Sequence, residues 1–234
     1  MEFQVKNNIF SKFVGLIRTI NDEARINIES DSINCILVDP AHVALANVNL
    51  KDGYEFFDKG EIDSINVNVE KLAKILKIGS GDEIITVKVE KGNTSMMVMV
   101  GNLERSMDML ANIEPPKLPD LKLPNVITIE TDNLKKAVKS IDFTDWIMFD
   151  AVSQDSFIMR SDGDTDRMVL RLSPDNYVFE KESKSMFTIE YFRRIIDFLP
   201  KEITLHMGNN FPMILKFDDE KLMGEVLIAP RIED

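Results

Sequence analysis

The residues of this 234-residue chain that could carry chemistry are few and poorly grouped. His42 and His206 are the only histidines and stand far apart, and Cys35 is the only cysteine. A zinc site needs three or four nitrogen and sulfur ligands at close spacing, so neither a metal nor any other cofactor is expected. A single cysteine also excludes a disulfide within the chain and fits a reducing, intracellular compartment. Asp162-Gly163-Asp164-Thr165-Asp166 places acids at alternate positions, as calcium loops do. Arg167 stands where such a loop needs glycine, and Ser173 where it needs glutamate, so the stretch reads as a solvated acidic turn. Gly79-Ser80-Gly81-Asp82 follows a predicted helix rather than opening one and lacks Lys-Ser/Thr, which excludes a phosphate loop. Carboxylate pairs for hydrolysis can be drawn from 40 acidic residues almost at will. An acidic α+β hydrolase is therefore the different-class alternative, with no site of its own.

The elements that would carry a binding surface are easier to read, because the chain repeats itself. At an offset of 124, Phe3 and Val5 fall on Ile127 and Ile129, and Phe10, Val14 and Ile17 fall on Leu134, Val138 and Ile141. Lys12 falls on Lys136, and Asp31-Ser32 on Asp155-Ser156. At an offset of 120, Val69-Glu70 and Ile75 fall on Ile189-Glu190 and Ile195. Between the copies lie Pro115, Pro116, Pro119 and Pro124. Proline fixes φ and lacks an amide donor, so this stretch reads as an extended connector. The expected organisation is a domain over 1–110, a connector over 111–125 and a second domain over 126–234. In each copy a short alternating strand leads into an amphipathic helix, and further strands, a second helix and closing hairpins follow. Lys91-Gly92-Asn93 and Gly208-Asn209-Asn210 supply hairpin turns. Two helices on antiparallel sheet, repeated, is an α+β fold. No apolar run approaches the roughly 20 residues that span a bilayer, and the N-terminus lacks a signal-peptide pattern, so no membrane partner is expected.

The formal net charge of −12, taken alone, opposes a nucleic-acid partner. Its distribution reverses that reading. The predicted helices Asn8–Ile20, Glu70–Lys77, Asp132–Ile141 and Glu190–Leu199 carry a net +6, leaving −18 elsewhere. Helical periodicity puts Phe10, Phe13, Val14 and Ile17 on one arc of the first helix, with Lys12 and Arg18 opposite. Lys71, Lys74 and Lys77 oppose Leu72, Ile75 and Leu76, and Lys135, Lys136 and Lys139 oppose Leu134, Ala137 and Val138. On the fourth helix Glu190 and Asp197 offset Arg193 and Arg194. Cationic helix faces sharing one surface can follow a phosphate backbone without reading bases. No basic run is interleaved with aromatics, so base stacking with single strands is not indicated.

Three segments carry a family resemblance: Asp39-Pro40-Ala41-His42-Val43-Ala44-Leu45, Asn68-Val69-Glu70-Lys71-Leu72-Ala73-Lys74-Ile75-Leu76-Lys77, and the terminal Ala229-Pro230-Arg231-Ile232-Glu233-Asp234. Together with the repeat, they make the sequence similar along its whole length to the proliferating cell nuclear antigen family of DNA sliding clamps. The short ending looks archaeal. The resemblance implies a non-catalytic processivity factor in which three chains close into a ring, helices lining the hole and sheets outside. The chain is then a homotrimer subunit or part of a heterotrimeric or checkpoint-type clamp. Location would be the cytoplasm, at the archaeal nucleoid, or the nucleus for a eukaryotic source.

By the same resemblance, Lys12, Arg18, Lys71, Lys74, Lys77, Lys136, Lys139, Arg193 and Arg194 would face duplex DNA. Subunits would join through edge strands near Leu103–Leu110 and Arg167–Leu172, with Val169 between the latter. Replicative DNA polymerase, clamp loader, flap endonuclease and DNA ligase would dock short peptides in a pocket beneath the connector. Matching pocket positions are Val38, His42, Val43, Leu45, Leu118, Leu123 and Pro212, followed by Leu227, Ile228, Ala229, Pro230 and Ile232. Lys117 stands where vertebrate clamps carry glycine and Leu123 where they carry tyrosine, so a shifted peptide preference is expected.

Overall fold

The computed structural model describes residues 1–29, 32–58, 62–174 and 176–232. Asp31 of the repeat and Glu233-Asp234 of the terminal motif lie outside the described residues. The chain divides into two compact units, Met1–Leu118 with Asp219–Gly224, and Pro119–Asp218 with the residues from Glu225 onward. Residues 109–124 form neither helix nor strand.

Unit one begins with β1 (Glu2–Lys6) and α1 (Asn7–Arg18), then β2 (Glu23–Ile28), β3 (Ile33–Val38), β4 (Ala44–Leu50), β5 (Tyr54–Asp58) and β6 (Ser64–Asn68). It closes with α2 (Val69–Leu76), β7 (Ile84–Lys88), β8 (Ser95–Val100) and β9 (Leu103–Asp108). Its strands order as β5-β1-β7-β8-β9 and β4-β3-β2-β6. Unit two runs β10 (Asn125–Glu130), α3 (Thr131–Ser140), β11 (Trp146–Ser153), β12 (Ser156–Asp162), β13 (Arg167–Leu172), β14 (Tyr177–Val178) and β15 (Ser183–Thr188). Then come α4 (Ile189–Ile195), β16 (Glu202–Met207), β17 (Met213–Asp218) and β18 (Leu222–Ile228), of which residues 222–224 group with unit one. The strand orders β14-β10-β16-β17-β18 and β13-β12-β11-β15 repeat those of unit one position for position. The repeat in sequence is thus a repeat in topology: two α+β units, each with two helices on antiparallel sheet.

Strict alternation explains which face each sheet buries. In β3, Ile33, Cys35 and Leu37 point inward, and in β8 Met96, Val98 and Val100 do the same. The inward faces meet the apolar stripes of the helices. Phe3, Phe10 and Phe13 form the aromatic centre of unit one, with Phe3 and Phe10 edge-on at 6.2 Å. Phe149, Phe157, Phe187 and Phe192 form that of unit two, with Phe149 and Phe192 centred 5.3 Å apart. Burying each ring fully contributes up to about 3 kcal/mol before entropy is counted. Burial also pushes the Cys35 thiol up to about 12, which leaves it inert at neutral pH.

One polar device recurs in both units and fixes the helix pairs. Asn7, buried at the start of α1, donates from Nδ2 to the Leu76 carbonyl at 3.0 Å and the Ser80 carbonyl at 2.9 Å. Thr131, at the matching position of α3, donates from Oγ1 to the Pro200 carbonyl beyond α4. Each side chain ties the first residue of one helix to carbonyls at or beyond the C-terminal end of the other helix of its unit. Asn68 caps α2 by accepting from the Lys71 amide at 2.8 Å.

The fourth helix is shorter than its periodicity predicts, ending at Ile195 rather than Leu199. Pro200 disfavours helical backbone at the residue before it, and the chain tightens into a turn in which the Phe198 amide bonds the Ile195 carbonyl. Leu199 stays buried all the same. Among the described residues no helix is long and apolar enough to cross a membrane.

Candidate functional site

The helices present two sorts of cation, free and engaged. In unit one Arg18, Lys71, Lys74 and Lys77 are exposed, as their place opposite the apolar stripe requires. Among the described residues Arg18, Lys71 and Lys77 have no ion pair, whereas Lys74 holds Glu70 at 2.9 Å. That bond, the charge of Lys74 and then that of Arg18 lower the Glu70 carboxyl, with slight opposition from burial. Lys12 is half-buried and its Nζ lies 2.9 Å from Asp219 Oδ2. Burial pushes the Asp219 carboxyl up, but hydrogen bonds from Lys12, Leu222 and Lys221 outweigh it and hold the group below its ordinary range.

In unit two Lys136 and Lys139 are exposed and, among the described residues, without an ion pair. Lys135 approaches Asp197 at 3.8 Å. Arg193 donates to the Ile141 carbonyl and lies 3.6 Å from Glu190, and Arg194 lies 3.3 Å from the same carboxylate. The free positive charge therefore concentrates on Arg18, Lys71, Lys77, Lys136 and Lys139. Lys12 and Arg193 are tied into the fold, and such bonds are not visible in helical periodicity.

The segment around His42 is shaped by Asp39. Its buried carboxylate accepts from the amides of Val43 and Ala44, both at 2.7 Å, and more distantly from Ala41 at 3.3 Å. The resulting turn lifts His42 into solvent with φ +57°. Val38 and Leu45 face each other across β3 and β4, half-buried, with Val43 alongside. Leu118 is exposed and Leu123 half-buried.

On unit two, β15 gathers two loops at one end. The Phe211 amide bonds Ser185 Oγ, the Asn210 amide the Lys184 carbonyl, and the Arg231 amide the Met186 carbonyl. Pro212, Ala229 and Pro230 are half-buried there, and Ile232 is exposed. Leu227 is buried and Ile228 wholly so, which corrects their assignment to a pocket lining: they back the surface without reaching it. Phe211 was not singled out by the sequence, because an aromatic beside a hairpin turn reads as core. Its side chain is 50% exposed on a loop pinned by four hydrogen bonds.

The two predicted joining strands are each the last strand of a sheet within their unit, β9 in unit one and β13 in unit two. Leu103 is exposed, Val169 and Leu172 are half-buried, and Arg167 pairs with Asp162 at 2.7 Å. Leu110 is corrected, since β9 ends at Asp108 and the Leu110 amide is already given to the Asn66 carbonyl at 2.9 Å.

Comparison with known proteins agrees with this architecture. The family model described as "Proliferating cell nuclear antigen, N-terminal domain" matches residues 1–114. A DNA polymerase sliding clamp of Methanosarcina barkeri is 31% identical over 231 residues, covering 94% of both chains. The corresponding Archaeoglobus fulgidus protein is 28% identical over 225 residues, covering 90% of each. Among solved structures, that of the C-terminal region of FEN-1 bound to A. fulgidus PCNA superposes with a TM-score of 0.90 at 25% identity, covering 100% of this chain and 99% of the other. PCNA from Thermococcus kodakaraensis, 19% identical with a TM-score of 0.86 over 98% of this chain and 100% of its own, shares the fold. With its repeated units, its cationic helix faces and these full-length relatives, the chain belongs to the DNA polymerase sliding clamp family, the family of proliferating cell nuclear antigen.

Proposed function

We propose that the chain is the subunit of a homotrimeric ring that encircles duplex DNA and tethers replication and repair proteins to it. The observation carrying this reading is the set of exposed cations on α1, α2 and α3 that have no ion pair among the described residues, in a chain of net charge −12. Facing a duplex from several sides, Arg18, Lys71, Lys77, Lys136 and Lys139 would contact phosphates singly and without base readout. Such contacts are individually weak and exchangeable, which allows sliding. Retention would come from closure around the duplex.

Assembly would join β9 of one copy to β13 of the next, a head-to-tail contact that closes at three copies. Both strands belong to the same chain, so one gene product suffices. Clients would present short peptides to Val38, His42, Val43, Leu45 and Leu118 of unit one and to Leu123, Pro212, Ala229, Pro230 and Ile232 of unit two. The FEN-1 segment bound to the A. fulgidus relative supports a flap endonuclease among them. Replicative polymerase and DNA ligase would use the same mode, and an ATP-driven clamp loader would open the ring. The archaeal relatives support a cytoplasmic, nucleoid-associated location. The family's role is one of binding, so the acidic hydrolase alternative falls away.

Primer extension by a replicative polymerase tests the reading. Long products should require the chain, loader and ATP together; products of equal length without the chain contradict it.

A further inference from the structure

The edges of the sheets are not equally available for joining. β14 has two residues, β5 is bulged where it meets β1, and the exposed side of β6 is occupied through Asn66, which takes the amides of Leu110 and Ile113. β15 already receives residues 210 and 231. β9 and β13 are each six residues long, unbulged, and free of these obstructions.

Their backbone polarity matches. Met109 donates to Thr94 and Gly163 to Asp166, which fixes the phase of both hairpins. In an antiparallel pair, residues alternate in the side to which they turn their amide and carbonyl. Glu104, Ser106 and Asp108 therefore turn those groups away from β8, and Arg167, Val169 and Arg171 turn theirs away from β12. The same six residues point their side chains to the outer face, because their neighbours Leu103, Met107, Met168, Leu170 and Leu172 pair with buried residues of β8 and β12.

The repeat supplies the register. β8–β9 turns over Gly101-Asn102, with Val100 opposite Leu103, and β17–β18 turns over Glu220-Lys221, with Asp219 bonded to Leu222. Lys221 thus matches Asn102. Val38 pairs with Leu45 as Asp162 pairs with Arg167, so Lys51 matches Ser173. Within unit one the Lys51 amide bonds the Lys221 carbonyl at 2.8 Å. Carried over, that bond sets Ser173 of one copy against Asn102 of another. The strands then align end to end: Leu103 opposite Leu172, Glu104 opposite Arg171, Ser106 opposite Val169, Met107 opposite Met168, and Asp108 opposite Arg167.

We propose that the joint between copies is keyed by charge, with Glu104 and Asp108 of β9 meeting Arg171 and Arg167 of β13 of a second copy of this chain. This rests on the ring reading and goes beyond it by naming what selects the partner edge and register. Opposite charges directly across a ladder favour pairing and like charges oppose it. Edges of the same kind meeting, β9 with β9 or β13 with β13, would set like charges together.

Three variants test this by light scattering after size exclusion, with thermal melting as a check on folding. Glu104→Lys with Asp108→Lys should fold but lose the trimer, weakening association by about a hundredfold. Arg167→Glu with Arg171→Glu should do the same. Combining all four substitutions in one chain restores opposite charges at each joint and should restore the trimer. Trimers in both double variants, or a quadruple variant no better than either double, would overturn the charge key while leaving a trimeric clamp in place. A monomeric wild-type chain would contradict the ring reading and the key with it.

Discussion

Lys12 and Asp219 lie 207 positions apart in sequence, and their side chains meet at 2.9 Å. Asp219 also accepts the amides of Lys221 and Leu222 at 2.9 and 2.7 Å, so one carboxylate holds α1 against the turn before β18. Because the folded state holds this carboxyl below its ordinary value of 3.8, the charged form is the stabilising one. That contribution is present above the ordinary value and is lost as pH falls through the lower, folded one. Asp219→Ala should therefore lower the melting temperature at pH 7, by the equivalent of about 1–3 kcal/mol. The ionic part of that difference should shrink as the pH falls below about 4 in a melting series. Lys12→Ala should cost less than about 1 kcal/mol, as expected of a partly exposed ion pair.

The matched donors Asn7 and Thr131 predict a matched penalty. Asn7→Ala removes three hydrogen bonds, two donated to the carbonyls of Leu76 and Ser80 and one accepted from the Ser11 hydroxyl; Thr131→Ala removes one, to Pro200. Each should destabilise its unit by about 1–3 kcal/mol in chemical denaturation, with Asn7 the larger. Asn7→Asp should be at least as harmful as alanine, since a carboxylate cannot donate to either carbonyl.

The free and engaged cations should separate in salt titrations of DNA loading. Replacing Lys71, Lys77, Lys136 and Lys139 with alanine should reduce the salt slope by up to about 3–4, the value for as many lost phosphate contacts. Lys12→Ala and Arg193→Ala should leave the slope nearly unchanged, because those side chains are occupied within the fold. Equal effects from the two sets would place the DNA elsewhere.

Phe211 should affect peptide binding more than stability. Half of its surface is exposed, so Phe211→Ala should shift the melting midpoint little. The affinity for a clamp-binding peptide should fall by roughly tenfold in calorimetry, as for loss of an aromatic anchor. Unchanged affinity would remove this loop from the docking surface.

The features legible in the sequence were those set by local periodicity. Phe10, Phe13, Val14 and Ile17 define a buried arc whatever α1 packs against, and the same pattern near Leu134 reveals the second copy. Features that depend on distant partners were not legible. Nothing near Lys12 points to Asp219, so it reads as a free cation; on the fourth helix Glu190 and Asp197 are visible beside Arg193, but nothing there points to the Ile141 carbonyl. The family resemblance places Ile228 in the pocket lining, whereas its place in β18 buries it completely. Leu110 looked like a continuation of β9, yet Asn66 takes its amide. The charge pattern on β9 and β13 has meaning only once both are known to be edges.

Retention on circular DNA tests the central claim most directly. The wild-type chain, loaded onto a nicked circle by loader and ATP, should remain bound through gel filtration in moderate salt. After a single cut linearises the circle, it should slide off the ends. Equal retention before and after cutting would mean that affinity rather than closure holds the protein, and would contradict a ring around the duplex.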